Sequence, residues 1–215
     1  DRKINKKTPL FVPAGQSTQM VIGATPENDF QIMQAANTFY KDYNLKRVYY
    51  SGYIPINATD SNLPQIGTAP PLVRENRLYQ TDWLLRFYGF SLHEILNSKH
   101  QDLDLEIDPK LAWALRNPQF FPIDINTATY NWIIRIPGIG RQSAKKIIQA
   151  RKYGKLKEQQ VQKIGIAYNR AKYFMLCQDT LITAGFHYPE KIRKSILEHN
   201  PQSQIKESNS QLTLF

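Results

Sequence analysis

Residues 124–152 read DINTATYNWIIRIPGIGRQSAKKIIQARK, and the bend at their centre decides how the rest of the chain is understood. The spacing predicts two short helices joined by a glycine hairpin. Asn126 or Thr127 offers a side-chain oxygen to cap the first helix, and Trp132, Ile133 and Ile136 recur at the spacing of one helical face. Pro137 closes that helix, because the residue before a proline is pushed out of the helical region. Gly138 and Gly140 then open backbone conformations closed to residues with a Cβ. A second helix is expected to start at Arg141, with Ala144, Ile147 and Ile148 turned inward.

This layout leaves backbone N–H groups of the turn and of the second helix without intrahelical partners, at the positive end of a helix dipole. Such a surface attracts an anion. With no side chain at Gly138 or Gly140, a phosphate oxygen can approach the backbone itself. Arg141, Gln142, Lys145 and Lys152 extend a polar and largely positive field from there.

Pro137-Gly138-Ile139-Gly140, followed by the small residue Ala144, resembles the helix-hairpin-helix family of DNA-binding modules. The resemblance implies sequence-independent binding to a duplex backbone, with a monovalent cation held on hairpin carbonyls. A buried helical turn, or a protein-docking module of the same shape, stays open beside it. A degraded second copy follows 27 residues on: Ile136-Pro137-Gly138-Ile139-Gly140 aligns with Lys163-Ile164-Gly165-Ile166-Ala167, and Ala144 with Ala171. Two stacked hairpins would form an all-α domain gripping both strands. Only Gly165 survives in the second copy, so its phosphate grip is expected to be weaker, with Lys163, Arg170 and Lys172 compensating.

Charge points the same way. Residues 1–123 hold 13 Lys+Arg against 12 Asp+Glu, whereas residues 124–200 hold 14 against 5, so nearly all of the net +10 lies with the hairpins. That asymmetry fits a nucleic-acid face. Phosphate contacts carry no base information, so RNA stays open beside DNA. The lone cysteine, Cys177, excludes an internal disulfide and any cysteine-clustered metal site, and is expected to be a core thiol. No apolar run reaches membrane-spanning length, which makes a cytoplasmic protein the expectation. A chain beginning at Asp1 suggests a piece of something longer.

Upstream, residues 10–23 read as extended, Thr25-Pro26 as a helix entry with Thr25 as cap, and Phe30 to Tyr40 as an amphipathic helix. Lys46 to Ile56 supplies a second strand, so a parallel strand–helix–strand unit is predicted. TQMVIGATPENDFQI and LKRVYYSGYIPI resemble the later strands of the partial barrel of radical S-adenosylmethionine (SAM) enzymes. With RENRLYQTDWLLRFYGF and the hairpin, the order is similar to the second half of the DNA modification and repair radical SAM proteins. That resemblance implies a cofactor-binding rim at Gly23, Thr25 and Glu27. It also implies a 4Fe–4S cluster and S-adenosylmethionine in a full-length parent. The cluster needs three close cysteines, which this chain lacks, so no catalytic residue, cofactor or metal is expected on it alone. An ordinary strand–helix–strand scaffold without a surviving site is the other possibility.

The remaining segments read more plainly. Residues 57–76 are a proline-rich loop, Arg77 to Tyr88 a helix, and Ser91 with Glu94 a capping box. Asp82 and Arg86 suit a surface pair. Asp102, Asp104, Glu106 and Asp108 suit an acidic linker or edge rather than a calcium loop. Asp108-Pro109 opens a further helix, and Pro189 to His199 a last one. A DNA glycosylase with lyase activity is set aside, because Gln142 stands where its lysine would be and no Asp occurs between Asp124 and Asp179. After Pro201 the polar tail ends in Gln211-Leu212-Thr213-Leu214-Phe215. This end resembles the motif that docks bacterial repair proteins on the replication sliding clamp, with Gln211, Leu212, Leu214 and Phe215 as the anchor.

The expected fold is α+β: a partial (β/α) barrel remnant over 1–76, a helical connector over 77–123, an all-α double helix-hairpin-helix domain over 124–200, and a tail over 201–215. The expected function is the DNA-engaging part of a radical SAM modification or repair enzyme. A non-enzymatic DNA-binding protein of DNA-uptake or nucleoid type, or a protein-interaction scaffold, are the alternatives.

Overall fold

A computed structural model describes residues 13–56, 60–180 and 188–199. The Gln211, Leu212, Leu214 and Phe215 motif lies outside the described residues, as does the basic start. The architecture is α+β, and by contact the chain divides into two units, Asp1–Tyr79 with Leu96–Leu103, and Gln80–Ile95 with Asp104–Phe215.

In the first unit, β1 (Ser17–Ile22) and β2 (Arg47–Gly52) pair in parallel, Ser17 opposite Arg47 through Ile22 opposite Gly52, with α1 (Asp29–Asp42) between them in sequence. The predicted parallel strand–helix–strand unit is therefore present. Its helix starts later than expected. Asn28, not Thr25, is the cap: the Asn28 side chain accepts from the Gln31 N–H at 2.9 Å, and the Gln31 side chain accepts from the Asn28 N–H at 3.1 Å. A reciprocal box satisfies two orphan donors where Thr25 would satisfy one. Ile32, Met33 and Ala36 carry the buried face of α1, Val48 and Tyr50 are buried on β2, and the Tyr50 hydroxyl meets the Met33 sulfur at 3.5 Å. Asp29 is 1% exposed, and its carboxylate is matched by Arg74 at 2.6 Å and the Leu103 N–H at 2.8 Å.

α2 (Leu72–Phe87) begins five residues before the predicted Arg77; Pro71 stands just ahead of it, where a missing N–H costs nothing, and its carbonyl accepts from the Glu75 N–H. The division between the units falls within this helix, after Tyr79. Asp82 and Arg86 do pair, at 2.9 Å, yet Asp82 is buried rather than at the surface.

The second unit continues with α3 (Leu92–Ile95), where Glu94 accepts from the Ser91 N–H as the capping box predicts. α4 (Pro109–Arg116) follows, with Asp108 accepting from the Leu111 N–H at 3.0 Å and Pro109 in the first turn, as expected. Trp113 of α4 is enclosed by Phe90 and Phe121, and Phe121 meets Phe174. The acidic run is not a loose linker. Asp104 and Glu106 bind Arg193, and Asp108 binds Arg170 at 2.6 Å. Two short strands, β3 (Ile123–Asp124) and β4 (Met175–Leu176), pair in parallel and clasp the hairpin segment at its two ends. Between them run α5 (Tyr130–Ile133), α6 (Arg141–Ala150), α7 (Glu158–Lys163) and α8 (Tyr168–Ala171), and α9 (Pro189–His199) comes last.

Candidate nucleic-acid interface

The first hairpin is a tight turn followed at once by a helix. The Ile136 carbonyl accepts from the Ile139 N–H at 3.1 Å, Pro137 occupies the second position and Gly138 the third, with φ +89°. This is the residue pattern of a type II turn, in which the third position favours glycine. Gly140 is different. Its φ of −90° and ψ of 172° are ordinary extended values, and it stands as the residue before α6. The predicted caps of the preceding helix are used elsewhere: α5 begins after Thr129, Asn126 bridges to the backbone of Leu156, and Thr127 donates to Asp124. Of the predicted inward face, Ile133 and Ile136 are buried, whereas Trp132 is 39% exposed.

The second hairpin repeats the first with a shift of 27 residues. Gly165 has φ +88°, Ala171 matches Ala144, and both alanines are fully buried. The two hairpins are laced together. The Gly138 carbonyl accepts from the Ala167 N–H at 3.0 Å, and the Gly165 carbonyl from the Ser143 hydroxyl at 2.9 Å. A Cβ on Gly138 would lie 2.7 Å from the Ala167 carbonyl oxygen and 3.1 Å from the Ala171 nitrogen. The bare side of Gly138 therefore faces the second hairpin. On Gly140 a Cβ would meet only the Tyr88 hydroxyl, at 3.8 Å.

The two copies are unequal in the amides they present. In the second copy the Ala167 N–H donates to Gly138, the Tyr168 N–H to the Ile166 carbonyl at 2.9 Å, and the Gly165 N–H to the Gln162 carbonyl at 3.3 Å. In the first copy, no acceptor among the described residues meets the N–H of Gly140, Arg141 or Gln142. Those three sit at the positive end of α6, and the side chains of Arg141, Gln142, Lys145 and Lys146 are exposed beside them.

Cations divide into ties and exposed groups. Arg135 bonds Glu94 at 2.6 Å and the Gly89 carbonyl, and lies over the Phe90 ring. Arg151 donates to the carbonyls of Ile125 and Ala128, Arg170 to Asp108, and Arg193 to Asp104 and Glu106. Arg141 lies over the Phe87 ring at 5.3 Å and is exposed. Lys152 is exposed in a 3-10 turn after α6, Lys163 is exposed, and Lys172 is half-buried over Tyr173. The positive field is thus carried by lysines and Arg141, while Arg170, expected to support the second hairpin's grip, is committed to the connector.

One cation was not foreseen. Lys110 of α4 is 8% exposed, and its Nζ donates to the Ile139 carbonyl at 2.6 Å while lying 5.0 Å from the centre of the Tyr88 ring. Burial pushes its ammonium down to about 7; Asp108 opposes that shift and Arg170 adds to it. The only sequence signal was a lysine inside the apolar run PKLAWALR. Lys110 also bears on the monovalent cation expected at the hairpin. The carbonyls of Ile136, Gly138, Ile139 and Gly140 each accept a hydrogen bond, and the Ile139 oxygen takes its bond from the Lys110 ammonium, so a cation on that oxygen would meet a like charge.

Residues 119–173 match the family described as helix-hairpin-helix motif. The match covers both hairpins and supports nucleic-acid binding in general. No curated protein and no solved structure matches the chain. Among the described residues no helix is long and apolar enough to cross a membrane.

Outside the helix-hairpin-helix segment, Gly23, Thr25 and Glu27 follow the carboxyl end of β1, Gly23 half-buried and Thr25 and Glu27 exposed. Thr25 donates to the Glu27 carboxylate, and this bond holds that carboxyl below its usual range. Gly23 has φ +84°, and a Cβ there would lie 3.0 Å from Pro71, so its open side is already filled. Cys177 is buried as expected, and burial pushes its thiol up to about 11, the opposite of what cluster ligation asks of a cysteine. The donor set of this chain does not fit an iron–sulfur cluster. Among the described residues no three His, Cys, Asp or Glu side chains come together to hold a metal.

Proposed function

We propose that this chain binds the sugar–phosphate backbone of duplex DNA without regard to sequence, and that the phosphate site is the start of α6. The observation that carries this is that the N–H groups of Gly140, Arg141 and Gln142 meet no acceptor among the described residues and lie beside Arg141, Lys145 and Lys146. Gly140 leaves the approach open, since the protein itself tolerates a Cβ there. Duplex affinity, read by fluorescence anisotropy, is expected to fall steeply with salt. Gly140→Leu is expected to weaken binding about tenfold or more at low salt while leaving the melting temperature near that of the parent. A flat salt response, or unchanged affinity in Gly140→Leu, would overturn the proposal.

We further propose, on the sequence resemblance alone, that this DNA-binding part belongs to a radical SAM modification or repair enzyme, and that its tail engages a sliding clamp. The parallel strand–helix–strand unit is consistent with the first idea. A cysteine triad encoded upstream would support it, and a coding region without one would count against it. For the second, a peptide of residues 201–215 is expected to bind purified clamp, and loss of binding on Phe215→Ala would tie it to the motif.

A further inference from the structure

We propose that Lys110 is the positioning residue of the phosphate turn: its tethered ammonium grips the Ile139 carbonyl and so fixes the Gly140 N–H outward, in the place a metal cation would otherwise take. The inference rests on the duplex-binding function proposed above and assigns a role to a residue outside both hairpins.

In a trans peptide the C=O and the N–H point in opposite directions. The Ile139–Gly140 peptide is held from one side, where Lys110 Nζ lies 2.6 Å from the Ile139 oxygen. Its other end, the Gly140 N–H, therefore points away from α4, and no acceptor among the described residues meets it. A positive charge on the carbonyl also polarises the peptide, which makes that N–H a better donor to an anion. The tether is itself fixed. Asp108, two residues before Lys110, caps α4 and is held by Arg170, and the Tyr88 ring lies under the ammonium. Burying a lysine costs free energy, and an ordinary surface helix does not place one against a backbone carbonyl. A free ion seeking the Ile139 oxygen would meet the Lys110 ammonium already there.

The test compares duplex affinity at about pH 6, where the Lys110 ammonium keeps its proton, in KCl, NaCl and tetramethylammonium chloride at one ionic strength. The parent protein is expected to bind equally, within about twofold, in all three. Lys110→Met is expected to lose about tenfold or more in tetramethylammonium chloride and to regain part of it in KCl or NaCl, as small ions reach the vacated carbonyl. A structural lysine would show no such ion-specific rescue. Should Lys110→Met fail to fold, the salt exchange on the parent protein still decides. A parent protein that needs potassium or sodium to bind overturns the inference, and so does a folded Lys110→Met that binds like the parent in every salt. Binding that depends on Gly140 but also on potassium would defeat the role of Lys110 alone. Absence of duplex binding in every salt would remove the phosphate site and this inference with it.

Discussion

Gly138 holds a left-handed φ of +89° within reach of another backbone, and both conditions penalise any side chain there. Gly138→Ala is expected to destabilise the protein by about 2–4 kcal/mol in urea denaturation, through the conformational cost and the clash with Ala167. Gly165 has the same φ but open space around it, so Gly165→Ala should cost only about 1–2 kcal/mol. Gly140→Ala should be nearly neutral, within about 0.5 kcal/mol. Equal costs at Gly138 and Gly140 would show that the packing contrast is wrong. Lys110 gives a pH test at the same scale. Its ammonium is depressed from 10.5 to about 7 on folding, so between those values the unfolded chain holds a proton that the folded chain sheds. Stability therefore gains from this group as pH rises from about 7 toward 10.5, and the contribution is flat below 7, where both states are protonated. The urea midpoint of Lys110→Met, followed from pH 7 to about 9.5, should rise less than that of the parent.

At the scale of elements, α9 is tied to the acidic connector by Arg193 on Asp104, at 2.5 Å, and on Glu106. Burial pushes the Asp104 carboxyl up, but the bond from Arg193, the Ile107 and Glu106 N–H groups and the guanidinium charge together hold it below the usual range. That stability is present above the unfolded carboxylate value of 3.8 and is lost as pH falls through the lower folded value. The pair is partly exposed, so Arg193→Met should cost only about 1 kcal/mol globally, and hydrogen exchange should quicken first in α9. These ties also mark the limit of what the sequence makes legible. The turn at Gly138 and the entry of α4 at Asp108-Pro109 rest on chemistry within a few residues, and the parallel pairing of β1 with β2 follows from the order strand, helix, strand, so spacing exposes all three. Arg193 finds Asp104 across 89 residues, and Arg170 finds Asp108 across 62. No periodicity reports such partners, so both arginines look like spare surface charge. Asn28 was legible in principle, since Gln31 stands at the box position, but Thr25-Pro26 presented the commoner helix entry.

Over the whole molecule, the excess of cations beyond residue 123 overstates the charge free to meet a polyanion, because Arg135, Arg170 and Arg193 are matched by carboxylates from before it. Lys145 and Lys146, exposed on α6 next to the open amides, remain available. If both meet phosphates, the double change Lys145→Gln with Lys146→Gln should make the slope of log affinity against log salt shallower by roughly 2, with equal loss on unrelated duplex sequences. A loss confined to one sequence would point to base contacts instead. The lacing of the hairpins bears on how a duplex would be held. Since the later loop ties the Ala167 N–H to its sibling and the Gly165 and Tyr168 N–H groups within itself, it serves as a splint, and contact with the double helix becomes one-sided. Hydroxyl-radical footprints should then shield a single strand at each bound site, leaving the complementary backbone open to a second protein.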